Sequence, residues 1–160
     1  MKSITIVVAD ASRARIFTLV PELRAASPSA GLVERHDLVD PARRQRPGEL
    51  LSESRPPSNR TPTGLGFAVD DHRDEYMREL DRRFAAEIFD QAMKVIDQTD
   101  SYRLVVVASP RMLGFLREQT EPLRTRLDVE EAALDLTHEP TVRLHQHLVE
   151  LGLLPAPRAA

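Results

Sequence analysis

Two apolar runs, far apart in the chain, constrain the fold more than any other feature. Ile4-Thr5-Ile6-Val7-Val8-Ala9 is nearly continuous and β-branched, and Tyr102-Arg103-Leu104-Val105-Val106-Val107-Ala108 is apolar almost throughout. Runs of this kind predict strands covered on both faces, with the second run central in its sheet. A sheet covered on both sides needs helices above and below it, which points to an α/β architecture.

The intervening sequence supplies the other elements. Asp10-Ala11-Ser12 reads as a tight turn, because Asp and Ser bond the local backbone. Ala14–Leu19 is then a second strand, close enough to the first to form a hairpin. Gly31–Leu38 is a third, with an imperfect alternation that leaves its inward face ambiguous. From His72 to about Gln98 the period becomes helical, carried by Met77, Leu80, Phe84, Ala85, Ile88, Phe89, Ala92, Met93 and Ile96. Asp74–Arg78, Glu79–Arg83 and Arg83–Glu87 are spaced for ion pairs of about 0.2–0.5 kcal/mol each, and Asp70, Asp71 and Asp74 suit the helix's positive end. Ser109-Pro110 predicts an N-cap followed by proline at the first helical position, with the helix running to about Gln119. Leu127–Leu136 contains the next strand, and Thr137 and Pro140 introduce a last helix through Leu151. Residues 1–152 therefore read as one domain, with a flexible tail at 153–160. The order βββαβαβα predicts a ribonuclease H-like mixed sheet with helices packed on its faces. A flavodoxin-like layout would need a helix between the first two strands, where only a short turn is available.

Residues 39–71 behave differently. They carry Pro41, Pro47, Pro56, Pro57 and Pro62 with Gly48, Gly64 and Gly66, and little apolar periodicity. Arg43, Arg44, Arg46, Arg55 and Arg60 stand here, with Asp40, Glu49, Glu53, Asp70 and Asp71 as the acids, so the stretch is basic through 43–62. A loop of roughly 30 residues is uncommon inside a compact domain. It reads either as a surface loop without a binding role or as a partner-binding loop. Its arginines suit the phosphate backbone of a structured RNA or an acidic protein surface.

Overall charge sets limits on partners. Against 22 basic side chains stand 25 acidic ones, a net charge of -3, so the strong positive field of a general nucleic-acid binder is missing. The absence of cysteine excludes disulfides, cysteinyl metal sites and thiol nucleophiles. With five Phe, two Tyr and no Trp, base-stacking platforms are sparse. No stretch is apolar and long enough to span a bilayer. The run Ile4–Ala9 stops at Asp10, too short for a signal-peptide core, and cytoplasmic residence is the default expectation.

Candidate chemistry is thin. A two-metal nuclease gathers several acids around ions about 3.5–4 Å apart. Asp10, Glu75 or Glu79, and Asp135 in the last strand are the carboxylates available, but the central strand ends in Ala108-Ser109-Pro110, where another would be wanted. The alternative for Asp10 is closure of the hairpin turn by accepting backbone donors. His145 and His147 are two apart on a helix, which turns them about 200° from each other and prevents joint ligation. Glycine-rich phosphate loops are absent, so no cofactor or metal is implied. Ser109 lacks the flanking glycines of a nucleophile elbow. Arg13 and Arg15 at the first hairpin, and Arg111 opening the helix after the central strand, are the ligand-binding candidates together with Asp10. They lie where strand carboxyl ends and helix N-termini form the default crevice of an open sheet. The alternative is that Arg13 faces solvent and Arg111 pairs with an acid.

Val8-Ala9-Asp10-Ala11-Ser12-Arg13-Ala14-Arg15-Ile16-Phe17 and Leu104-Val105-Val106-Val107-Ala108-Ser109-Pro110-Arg111-Met112-Leu113-Gly114-Phe115-Leu116-Arg117 resemble the two signature segments of the bacterial host-attachment protein family, and Leu134-Asp135-Leu136-Thr137 resembles its third landmark. With the long helix they cover most of the chain. The resemblance implies a role in attachment and supplies no chemistry. That family in turn resembles the middle domain of archaeal and eukaryotic peptide-chain release factors, which implies a ribonuclease H-like topology and a ribosome- or tRNA-facing role. Those factors use a Gly-Gly-Gln loop; this chain has no adjacent Gly pair, only Thr63-Gly64-Leu65-Gly66-Phe67. The expectation is a non-catalytic binding or adaptor protein, with the release-factor-like role and the phosphodiesterase as alternatives.

Overall fold

The computed structural model describes residues 3–20, 31–44 and 65–156. Five strands form one mixed sheet: β1 (Ser3–Ala9), β2 (Arg13–Leu19), β3 (Leu32–Val39), β4 (Ser101–Ala108) and β5 (Asp128–Ala133), in the order β3-β2-β1-β4-β5. β1 and β2 pair antiparallel, with Ile4 opposite Leu19 and Ala9 opposite Ala14. β1 and β4 pair parallel, with Val7 opposite Val106 and Ala9 opposite Ala108. The two apolar runs are therefore neighbours at the centre of the sheet, and β1 is buried along its whole length.

Helices lie on both faces, as the runs require. Among the described residues they are α1 (Pro41–Arg44), α2 (Leu65–Thr99), α3 (Pro110–Thr120) and α4 (Thr141–Glu150), with a 3-10 turn at Glu121–Thr125. Val7, Ala9, Ile16, Val106 and Ala108 pack with Phe84, Ile88 and Ala92 of α2 and Met112, Leu113 and Leu116 of α3. On the opposite face Ile6, Val8, Phe17, Val105 and Val107 pack with Leu144 and Leu148 of α4. The pleat sends alternate residues of each central strand to the two layers. None of the described helices is long and apolar enough to cross a membrane.

Several boundaries differ from the sequence reading. β3 is Leu32–Val39, one residue later than expected at each end. Its ambiguous inward face has a cause: Phe17 pairs with Glu34 and Ile16 with His36, so Arg35 is an extra residue. This irregularity puts Leu32 in the layer under α4 and Leu38 against α2 and α3. The loop assigned to 39–71 is shorter at both ends. Asp40 Oδ1 accepts the Ala42 amide at 3.1 Å and starts α1, and α2 begins at Leu65 rather than His72. Gly66 falls in the first turn of α2, and propagation of an established helix costs little per residue. β5 ends at Ala133, so Leu134, Asp135 and Leu136 are not strand, and α4 starts at Thr141. Ser109 holds the N-cap position without a side-chain capping bond. Its amide instead donates to Ala9 O at 3.1 Å, and its carbonyl accepts from the Leu113 amide at 2.8 Å.

Leu153 and Leu154, read as the start of a flexible tail, are packed against the end of α4. Gly152 has φ +73, its amide donates to Val149 O, and the Leu153 amide donates to Leu148 O, each at 3.0 Å. These two bonds make the Schellman closure of α4. The turn returns Leu153 and Leu154 to the layer containing Leu148, where both are buried. Gly152→Ala places a Cβ on a left-handed residue and should cost about 1–2 kcal/mol. Urea unfolding of the variant will show that loss as a lower midpoint at unchanged slope.

Candidate functional site

The charged candidates from the first hairpin gather at the carboxyl edge of β1, where each finds a partner inside the protein. Asp10 directly follows β1. Its Oδ1 accepts the amides of Ser12 and Arg13 at 2.8 Å each and the Ser12 hydroxyl at 3.0 Å. This closes the hairpin as an Asx turn. Its Oδ2 accepts the hydroxyl of Thr137 at 2.8 Å, from a residue distant in sequence and wholly buried. The same hydroxyl lies 2.9 Å from Asp135 Oδ1. One hydroxyl hydrogen therefore faces two carboxylates, and His138 Nε2 stands 3.9 Å from Asp10 Oδ2 at the exposed rim.

Arg15 clamps the same segment from the next strand. The side chain is buried, with Nε 2.8 Å from Glu34 Oε1 and Nη2 3.2 Å from Oε2. Nη1 donates to the carbonyls of Thr137 at 3.2 Å and Glu139 at 2.6 Å, and Nη2 reaches the Thr141 hydroxyl at 3.4 Å. The guanidinium also lies over the Phe17 ring at 4.9 Å. These acceptors engage all of the side chain's N–H donors. Residues 134–140 thus cross the carboxyl edge as a strap pinned at Asp10 and Arg15. Arg13 makes a two-point pair with Asp37 at 2.9 and 2.8 Å, rather than facing solvent alone. The Asp37 hydrogen bond holds the Arg13 pKa above its ordinary value, and the same bond lowers that of Asp37.

Burial pushes the Asp10 carboxyl up, but the bonds from Ser12, Thr137 and Arg13 together outweigh it and leave the pKa lowered from its ordinary value. A carboxylate whose pKa is lowered by folding stabilises the folded state above its unfolded value and loses that contribution as pH falls through the folded one. Asp10→Asn should therefore destabilise the protein by about 1–3 kcal/mol at neutral pH. The gap between variant and parent should close in acid, below the ordinary carboxylate range. Chemical denaturation across a pH series checks both the size and the direction.

The remaining candidates do not join this cluster. Arg111 pairs with Asp81 of α2, Nε to Oδ2 at 2.6 Å, and Asp81 is completely buried. Sequence reasoning missed Asp81, although an acid at 81 within the stripe of Met77, Leu80, Phe84 and Ala85 signals a buried carboxylate in need of a cation. Arg111→Ala removes the Nε–Oδ2 bond to this buried carboxylate and should cost about 1–3 kcal/mol. Asp81→Asn in the same background should recover part of the loss in thermal unfolding. Thr137, Glu34 and Asp37 were also missed as members of the edge cluster; each is an ordinary polar residue locally.

Of the proposed metal carboxylates, Asp10 and Asp135 converge on Thr137. Glu75 is exposed on α2, and Glu79 engages Arg82 at 3.7 Å and Arg83 at 3.3 Å. Among the described residues no group of three His, Cys, Asp or Glu side chains is placed to hold a metal ion. His145 is buried and His147 exposed, on opposite sides of α4. Arg43 and Arg44 lie in the one-turn helix α1, while Arg46, Arg55 and Arg60 fall outside the described residues.

Fold and site together define an α/β protein with a five-stranded mixed sheet whose carboxyl edge is strapped by internal ion pairs and hydrogen bonds. Residues 5–148 match the model of the family described as "Protein required for attachment to host cells". The chain belongs to that family. No curated protein matches it.

Proposed function

We propose that the protein is a non-catalytic binding or adaptor component, with its contacts made by the arginine-bearing segment 43–62 and the adjoining amino-terminal half of α2. One observation carries the reading: Asp10, Arg13 and Arg15, the charged groups at the sheet's default crevice, are spent on partners within the chain. Their role is to build the edge, and contact with a partner falls to other surfaces. The length of α2 supports this. Its 35 residues extend about 52 Å at 1.5 Å per residue, whereas an eight-residue strand spans about 26 Å. Residues 71–76, 78 and 79 are exposed along that helix, before burial begins at Leu80.

In this reading the arrangement is ribonuclease H-like, supported by the order β3-β2-β1-β4-β5 with β2 antiparallel to both neighbours. The domain runs through Leu154, and the protein works in the cytoplasm. The family description names a physiological outcome, attachment, which an adaptor serves by joining other components.

The test is a pull-down from native lysate with the intact chain and with residues 43–62 replaced by a neutral linker, at low and moderate salt. A reproducible protein partner that depends on the segment is the expected result. Segment-dependent recovery of ribosomal particles or tRNA, falling steeply with salt, would replace the adaptor reading with the release-factor-like one. Recovery of neither would remove the segment's assigned role.

A further inference from the structure

Away from the edge cluster, α2 and α3 flank an open groove lined by Arg78, Arg111, Gly114, Phe115 and Glu118, with a volume of about 380 Å³. We propose that this groove binds a phosphate monoester carrying a small apolar group. The inference does not rest on the adaptor reading, although Arg78 also belongs to the exposed face of α2 that reading uses.

Three separate observations converge on it. The first is a pair of cations with unspent donors. Arg111 gives its Nε to the buried Asp81, which fixes the guanidinium plane, while its terminal nitrogens make no bond among the described residues. Arg78 makes no hydrogen bond or ion pair among the described residues, and the spacing-based pairing with Asp74 is not formed. Two guanidinium groups on facing helices suit a phosphate, whose oxygens accept forked N–H pairs. The double negative charge of a monoester also favours it over a carboxylate.

The second is Gly114, in the interior of the eleven-residue helix α3. Glycine there costs helix stability relative to alanine. Positive φ among the described glycines belongs to Gly152, so the Gly114 backbone makes no demand for glycine. Packing makes none either, because a Cβ built at Gly114 meets nothing within 4 Å. The space above it is the groove, and the missing side chain keeps that floor open.

The third is the wall. Phe115 supplies an apolar surface, and the Arg82 guanidinium lies 5.5 Å from its ring centre. Arg82 also stands 3.7 Å from Glu118, so the one carboxylate lining the groove has its charge matched by a cation outside it. A bare phosphate would leave this apolar wall uncovered; an ester with a ring would cover it.

The experiment is a nitrogen–proton NMR titration of the full chain with phenyl phosphate, beside inorganic phosphate, benzoate and sodium chloride at matched ionic strength. Saturable shifts at the Gly114 and Phe115 amides and at the Arg111 Nε are expected, with phenyl phosphate binding tighter than inorganic phosphate. Arg78→Ala should weaken binding about tenfold while leaving the fold intact, since its side chain holds no partner among the described residues. Gly114→Leu should abolish binding and raise the thermal midpoint, because it fills the floor and improves helix propensity. Failure to saturate with phenyl phosphate at millimolar concentrations would overturn the proposal. So would equal binding of benzoate or inorganic phosphate, or a folded Gly114→Leu chain that binds as the parent does.

Discussion

To place α4 on the opposite face from α2 and α3, the chain after β5 must cross the carboxyl edge of the sheet with its polar groups satisfied. That constraint organises the charged residues of the amino-terminal hairpin. Asp10 receives the buried Thr137 hydroxyl, and Arg15 binds the carbonyls of Thr137 and Glu139 while held by Glu34. Buried hydroxyl and carbonyl groups left without partners would each cost about 1–3 kcal/mol. The strap is therefore coupled to the hairpin, and the second apolar layer, with Leu144 and Leu148 at its centre, is delivered by the strap.

The charged residues at the edge are allocated to architecture. Arg13, Arg15 and Asp10 are used to join β1, β2, β3 and the strap. Arg111 serves two places: its Nε secures the buried Asp81 of α2, and its side chain lines the groove that also holds Gly114. Residues 71–76 and 79 of α2 are exposed and lie outside both sets.

The central strands and the two-layer arrangement were legible because β1 and β4 are apolar on both faces, a pattern no exposed strand needs. The α2 stripe was legible from His72 onward, with Met77 and Leu80 opening it; Leu65–Asp71 carried no apolar period beside Gly64 and Gly66 and was read as loop. β3 was unreadable in detail because its extra residue at Arg35 breaks the alternation. At the carboxyl edge, Asp10's turn was foreseeable from local chemistry, whereas its bond to Thr137 joins residues more than a hundred positions apart. Arg15 looked like a ligand-binding cation because sequence shows its charge and hides Glu34, Glu139 and Thr141 around it. Similarly, the tail's Pro155 and Pro157 suggested fraying, while Gly152 turned Leu153 and Leu154 back into the core.

Hydrogen exchange of the intact chain and of Thr137→Val tests this account most directly. The substitution keeps the shape of the side chain and removes the hydroxyl shared by Asp10 and Asp135. Faster exchange at the Glu139 amide and at the Ser12 and Arg13 amides, with β4 unchanged, is the predicted result. Unaltered exchange at all three would contradict the claim that the edge cluster pins the strap to the hairpin.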